Sequence, residues 1–411
     1  MKLVHAADLH LDSPLRGLRH YEGAPTQEVR MATRRAFSRL IDFCLAEQVG
    51  YLLIAGDLYD GDFKDYATAL YFVEQVARLR ESGTEVIWLR GNHDAANKMT
   101  RHLQVAEHVH ELSVDQPASL VFEQHGLAFH GQGYAVRDVQ DDLSARYPAP
   151  LSGLLNFGLL HTALDGRPGH ASYAPSTLSG LLSHGYDYWA LGHVHQREVL
   201  SERPWVVFPG NLQGRHVREL GEKGCTLITI SDAQIAQVEP VVLDEVRWAI
   251  CEVQLDQAHH LDEVLESCQA ALGRARLSAG GRTVATRVRL VGASPAHGLL
   301  NQARERFENE LRALCVDFAD VYLEDVEFKT NGLLAGGELA ERRDALGDLF
   351  RAFSDVEQDE GARAALWEEL LRPMTGISLD LLRDENLHRD DILREAEQLL
   401  QGYLLSPEEP S

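Results

Sequence analysis

Eight polar side chains close apolar runs of this chain, and their types are those that hold divalent cations. "LVHAADLH" ends in Asp8 and His10, "YLLIAGD" in Asp57, and "EVIWLRGNH" in Asn92 and His93; "LLNFGLLH" ends in His161, and "YWALGHVH" in His193 and His195. Carboxylates, neutral imidazoles and an amide oxygen can together hold two divalent ions about 3.5–4 Å apart, which stabilise the attacking and leaving oxygens of a phosphoryl displacement and lower the pKa of a bridging water. No thiolate joins the set. Mixed oxygen and nitrogen donors suit manganese, iron or zinc better than calcium. Gly56, Gly91 and Gly192 precede three of the clusters, where a sharp turn or close approach favours a residue without a Cβ.

The elements that must position these residues follow from hydrophobic periodicity. Strands are predicted near 2–7, at "YLLIAG" and at "EVIWLRG", with helices near 29–47 and 66–81, an alternation that indicates an α/β domain with buried strands. Thr33, Phe37, Leu40, Ile41 and Cys44 share one face of the first helix, as a helix laid on a sheet requires. From about 119 to 242 short strands dominate, the second half of a layered sandwich. Every cluster then sits at the carboxyl end of a strand, where open α/β sheets gather ligands. We expect one domain over 1–243, a small α/β domain over 244–330 with helices near 260–273 and 296–315, and an acidic helical tail over 331–411 after the Gly-rich "KTNGLLAGGE".

Composition narrows the class. The chain has 411 residues and a formal charge of −24, which argues against a protein that coats DNA through Lys and Arg. The tail after 330 carries 19 acidic against 8 basic residues, so much of the excess lies away from the clusters. A bound cation pair would also offset carboxylate charge locally, so a nucleic-acid substrate stays open. Cys44, Cys225, Cys251, Cys268 and Cys315 form no Cys-x-x-Cys pair and suit core positions in a reducing compartment. Without a long apolar run or a signal peptide, the expected location is the cytoplasm, with no membrane.

The ordered set D-x-H, G-D-x-x-D, G-N-H-D, a strand-end H and G-H-x-H resembles the calcineurin-like metallophosphoesterase superfamily. "HAADLHLDSPL" and "FPGNLQGRH" narrow the resemblance to DNA repair exonucleases of the SbcD type, in their YhaO-like branch. It implies an α-β-β-α sandwich, a small α/β capping domain and a C-terminal helical segment. It implies that Asp8, His10, Asp57 and His195 hold one metal and that Asp57, Asn92, His161 and His193 hold the other, with manganese as the expected ion. His93 matches the family's non-ligand histidine, which contacts the scissile phosphate and assists the leaving oxygen. Where many relatives have a His after the G-D motif, this chain has Asp60. The implied partners are DNA, a second copy of the chain and an SMC-like coiled-coil ATPase, SbcC-like or YhaN-like.

Other polar residues have plainer expected roles. His5 reads as a strand residue or a hydrogen-bonding neighbour of a ligand; "EHVHEL", with His108 and His110, reads as a solvated helix end. Asp60, Asp62 and Asp65 read as helix caps and turn residues, and Asp94 as a cap or as an acceptor for a ligand histidine. His130 and His216 are expected to face solvent, although Arg215 and His216 follow "PGN" closely enough to contact a phosphate. Arg16 and Arg19 could meet a DNA backbone. Arg30, Arg34, Arg35 and Arg39 suit a solvated helix face or a dimer surface, and Arg274, Arg276, Arg282, Arg287 and Arg289 make a locally positive stretch. The expected function is a metal-dependent DNA nuclease that acts with the ATPase in double-strand break repair or end processing. The alternatives are a phosphoesterase acting on small nucleotides or phosphoproteins, and a non-catalytic scaffold.

Overall fold

The computed structural model describes residues 1–13, 15, 29, 31–60, 66–96, 106–166, 173–333, 336–371, 393, 396, 397, 400 and 404. They form two compact units, residues 1–249 with 279–285, and residues 250–278 with those from 286 on. In the first unit, β1 (Lys2–Ala6), β2 (Tyr51–Ala55), β3 (Glu85–Leu89) and β4 (Val109–Glu111) pair in parallel. A second sheet contains β5 (Ala118–Phe122), β6 (Leu127–Gly131), β7 (Leu155–His161), β8 (Tyr188–Gly192), β9 (Glu198–Glu202) and β10 (Trp205–Phe208), in the order β5-β6-β7-β8-β10-β9. β11 (Gly224–Ser231) and β12 (Gln234–Val242) return to the first sheet as antiparallel neighbours on the far side of β1, so its order is β12-β11-β1-β2-β3-β4.

Side chains alternate across a strand, and here both faces are buried. Leu3, Tyr51, Leu53, Ile87 and Leu89 meet Phe129, Phe157, Leu159, Tyr188 and Val207 between the two sheets. Their neighbours Val4, Leu52, Ile54, Val86 and Trp88 turn the other way, onto Phe37, Leu40, Ile41 and Cys44 of α1 (Ala32–Ala46) and Phe72 and Val76 of α2 (Ala67–Ala77). Behind the second sheet, Leu160, Trp189, Leu191 and Phe208 pack with Tyr134, Leu143, Tyr147 and Leu181. The layers are therefore α-β-β-α, and the face expected for α1 is the one it buries. A Phe37→Ala exchange there would cost about 3–5 kcal/mol.

Two further readings change. The stretch around His108 and His110 is not a helix end: Val109–Glu111 is the edge strand β4, in register with Val86–Trp88. His110 Nε2 donates to Glu85 at 2.7 Å and His108 Nε2 to the Val76 carbonyl at 3.0 Å. Three residues are too few to show a strand period. His130, expected at the surface, is fully buried on β6 between Ser119 Oγ and Asn156 Oδ1, at 2.8 and 3.1 Å.

The second unit holds most of a three-stranded sheet, β13 (Val246–Gln254), β14 (Thr283–Ala293) and β15 (Val321–Asn331), taking β13 from Ile250 and β14 from Thr286. Val264, Cys268 and Leu272 line the buried side of α5 (Leu261–Ser278). After the short α6 (His297–Gln302), Phe307, Leu311 and Cys315 do the same for α7 (Arg304–Phe318), the i, i+4 spacing of one helix face. All five cysteines are free and buried. The expected positive stretch is neutralised at four of its five arginines, Arg274 excepted: Arg276 pairs with Asp320, Arg287 with Glu324 and Glu327, and Arg289 with Glu327. Arg282, which belongs to the first unit, is held by Asp244 at 3.0 Å.

Beyond the sheet lie α8 (Gly336–Ala340), α9 (Ala345–Gln358) and α10 (Glu360–Leu371). Asp344 caps α9 by accepting from Gly347 N at 3.0 Å, and Phe350 is buried while Leu349 stays exposed. Most of "ILREAEQLL" lies outside the described residues. No described helix is long and apolar enough to cross a membrane.

Candidate metal centre

Five strand ends of the first unit converge. Asp8 and His10 follow β1, Asp57 follows β2, Asn92 and His93 open α3 (Asn92–Ala96) after β3, His161 ends β7, and His193 and His195 follow β8. Asp8, His10, Asp57 and His193 hold left-handed backbone, at φ 51°, 43°, 51° and 102°. Such conformations cost of order 1–3 kcal/mol each and persist only where the surroundings over-determine them. Here backbone bonds do so: Asp8 N donates to Gly56 O and His10 N to Asp57 O, both at 3.0 Å. His193 N donates to both Asp8 oxygens at 3.1 and 3.0 Å, and His93 N to Asp57 Oδ1 at 2.9 Å.

The glycines make room for the cluster. A Cβ on Gly56 would lie 2.4 Å from His161 Nδ1, one on Gly91 2.2 Å from Asp57 Oδ1, and one on Gly192 1.9 Å from Ala55 O.

Three groups of donor atoms result among the described residues. Asp8, His10 and His195 offer one atom each within 4.8 Å of one another, and so do Asp57, His161 and His193, and His10, Asp60 and His93. In the first group, His10 Nε2 and His195 Nε2 face each other at 3.3 Å, and Asp8 Oδ1 is 3.9 Å from His195 Nε2. In the second, His161 Nε2 is 3.0 Å from Asn92 Oδ1 and 3.4 Å from Asp57 Oδ2. Asp57 Oδ2 is also 3.9 Å from His10 Nε2, which places this carboxylate between these two groups.

Electrostatics distinguishes the members. Burial pushes Asp8 up and His10 down, the latter to about 3. Burial would lower His161 too, but the charge and hydrogen bond of Asp57 raise it to about 9. Burial would likewise raise Asp57, and His161 outweighs it, holding that carboxylate well below its usual range.

Asp60 is not a helix cap. Its Oδ1 lies 3.0 Å from His93 Nδ1 and 3.6 Å from His10 Nδ1, and its Oδ2 accepts from Ser13 Oγ at 2.7 Å. Burial works against protonated His93, yet the Asp60 hydrogen bond and the charges of Asp57 and Asp60 raise its pKa above the ordinary imidazole value. Asp94 caps α3 from its first turn, reaching back to the N–H of Gly91 just before the helix, and does not meet a ligand imidazole. It accepts from Leu58 N, Tyr59 N and Gly91 N at 3.2, 2.9 and 3.0 Å, bracing the loops that carry Asp57 and Asn92. Burial and the neighbouring Asp57 push its pKa up to about 7.

His5 is no ligand; it ties the sheets together through Tyr188 Oη and Leu191 O, at 3.0 and 3.1 Å. Arg215 turns inward, with Nη1 3.6 Å from Asp60 Oδ1 and Nη2 3.3 Å from Glu219 Oε1, and His216 Nε2 lies 3.5 Å from the same Glu219 oxygen. Arg34 is held by Asp12 and Arg39 by Glu245, so neither is simply solvated. Arg16, Arg19, Arg30, Asp62 and Asp65 lie outside the described residues. Sequence reasoning missed Glu219: it follows no apolar run, and its partner His195 is 24 positions away.

The profile of the calcineurin-like phosphoesterases matches residues 1–197, and that of the middle domain of the metallophosphoesterase YhaO matches residues 248–331. The metallophosphoesterase YhaO of Bacillus subtilis (strain 168) is 33% identical over 318 residues, 76% of this chain and 77% of that protein. The DNA double-strand break repair protein Mre11 of Methanopyrus kandleri is 27% identical over 233 residues, 51% of this chain and 48% of that protein. Its namesake from Sulfolobus acidocaldarius is 25% identical over 245 residues, 56% of this chain and 61% of that protein.

Proposed function

This chain belongs to the YhaO family of calcineurin-like metallophosphoesterases, a class of phosphoester hydrolases, and we propose that it is a DNA nuclease cleaving phosphodiester bonds at a dinuclear metal centre. The observation that carries the reading is a double cluster of cation donors, Asp8–His10–His195 and Asp57–His161–His193, beside the imidazole of His93, which shares a third group with His10 and Asp60.

The donor set fits a cation pair. Two imidazole nitrogens 3.3 Å apart need a proton or a cation between them. His10 Nδ1 is buried without a hydrogen-bond partner, 3.6 Å from Asp60. Asp8, His10, Asp57 and His195 would hold one ion, and Asp57, Asn92, His161 and His193 the other, with manganese as the proposed metal. Ions held there would supply Lewis acidity and a nucleophilic water of lowered pKa. The chain's own part is to position and to donate. Asp60 accepts the Nδ1 proton of His93, which leaves Nε2 to carry the proton that the departing oxygen takes.

The repair role is supported by the names of the Mre11 relatives, each matched over less than two thirds of its length. On that footing we assign residues 1–243 to a nuclease domain, 244–330 to a cap, and 331–411 to a segment that meets an SMC-like ATPase in the cytoplasm. Arg215 and His216 are the proposed phosphate contacts. A second reading, hydrolysis of small phosphodiesters, is favoured by the ion pairing of Arg276, Arg282, Arg287 and Arg289, which leaves the cap little charge for a duplex.

The test is end-labelled duplex DNA with manganese. Degradation by the parent protein, lost in His93→Ala while manganese content persists, is the expected outcome. Inert DNA with rapid cleavage of cyclic nucleotides would replace the first reading by the second.

A further inference from the structure

His195 is the most exposed of the candidate ligands. It lies three residues beyond the end of β8, and 19% of its side chain is exposed, against 2% or less for Asp8, His10, Asp57 and His161. A ligand imidazole must offer a lone pair at one ring nitrogen, so its proton must be kept on the other. For His195 the structure supplies a keeper. Its Nδ1 is 2.6 Å from Oε1 of the buried Glu219, a shorter contact than the 3.3 Å from Arg215 Nη2 to the same nitrogen.

Glu219 is itself fixed. Its Oε2 accepts from Asn211 Nδ2 at 2.8 Å and from Arg215 N at 2.7 Å, and Arg215 Nη2 approaches Oε1 at 3.3 Å. The backbone of His195 is clamped too, its carbonyl accepting from Lys223 Nζ at 2.7 Å and Asn211 N at 3.3 Å.

We infer that Glu219 is the positioning residue that makes His195 an Nε2 ligand, keeping the proton on Nδ1 and setting the affinity of the cation site formed with Asp8 and His10. The inference rests on the ligand assignment proposed above. A purely structural Glu219 would only shape the loop from Asn211 to Glu219, and Glu219→Gln separates the two roles. The amide oxygen of glutamine can still accept from Asn211 and Arg215, which preserves the loop. Its NH2 then faces His195 Nδ1 as a donor, so the ring proton moves to Nε2 and the lone pair points away from the metal.

Calorimetric titration of the full chain with manganese, backed by elemental analysis, reads the difference. The parent protein should bind two ions. Glu219→Gln should bind one with parental affinity and the other about 10–100-fold more weakly, with its metal-free melting temperature unchanged. Two ions of parental affinity in Glu219→Gln, or loss of both, overturns the inference. Fewer than two ions in the parent protein overturns the ligand assignment itself, whatever the variant does. Should the variant fail to fold, nitrogen NMR of metal-free, histidine-labelled parent protein decides, with His195 assigned by its absence in His195→Asn: a proton on Nδ1 supports the inference and a proton on Nε2 overturns it.

Discussion

Each unit of the chain carries a cluster of ionisable side chains, and the two are built on opposite terms. In the second unit, Glu324 accepts from Arg287 Nε and Nη2 at 2.8 and 2.7 Å, and Glu327 from Arg287 Nη1 and Arg289 Nε at 2.8 and 2.6 Å. Every charge there meets its opposite on regular strands. In the first unit, Asp8, His10, Asp57, His161 and His193 are buried on backbone that is mostly left-handed, and imidazole nitrogens face each other. A paired cluster is complete as it stands. A cluster of facing donors on strained backbone is costly alone and is stabilised when a cation enters, since any ligand that binds only the folded state adds to stability.

That contrast can be broken at either end. The largest effect is expected from Asp57→Asn, which weakens the one carboxylate between the first two donor groups: elemental analysis should find both ions lost and activity at background. His93→Ala should lower kcat by about 10²–10⁴-fold, the range for general acid catalysis, with both ions retained.

Manganese at about 100 times its Kd should stabilise the first unit by about 2.7 kcal/mol for each ion bound and leave the second unchanged, as scanning calorimetry with and without chelator would resolve. Arg287→Met should destabilise the second unit by about 3 kcal/mol in urea melts, because Glu324 is then left buried without its cation. The smallest effect belongs to the exposed pair Arg306–Glu310 on α7, where Arg306→Ala should cost about 0.3–0.5 kcal/mol. If Arg287→Met proved as harmless as Arg306→Ala, the second unit's ladder would be ornament on the sheet.

The layered fold and the origin of the candidate ligands were legible because both are local. Strands such as Tyr51–Ala55 are apolar throughout, as doubly covered strands must be, and the candidate ligands close such runs, in three cases directly after a glycine. Asp60 was misread because G-D-x-x-D followed by a helix is also what a cap looks like; only the fold brings His93 to within 3.0 Å of it. His130 was misread because a lone histidine says nothing of the Ser119 and Asn156 that bury it. Arg287 and Arg289 looked like a basic surface because their carboxylates, Glu324 and Glu327, come from the neighbouring strand β15, 37 to 40 positions further along the chain.

What the sequence alone determined is which residues stand at the strand ends, because hydrophobic period and the steric need for glycine act over a few positions. Which atoms face each other was decided only by tertiary structure. His10 and His195 meet across 185 positions, and His195 takes its orientation from Glu219 rather than from its own strand. Pairings of that kind depend on distance and tautomer, and neither is encoded in any short stretch of chain.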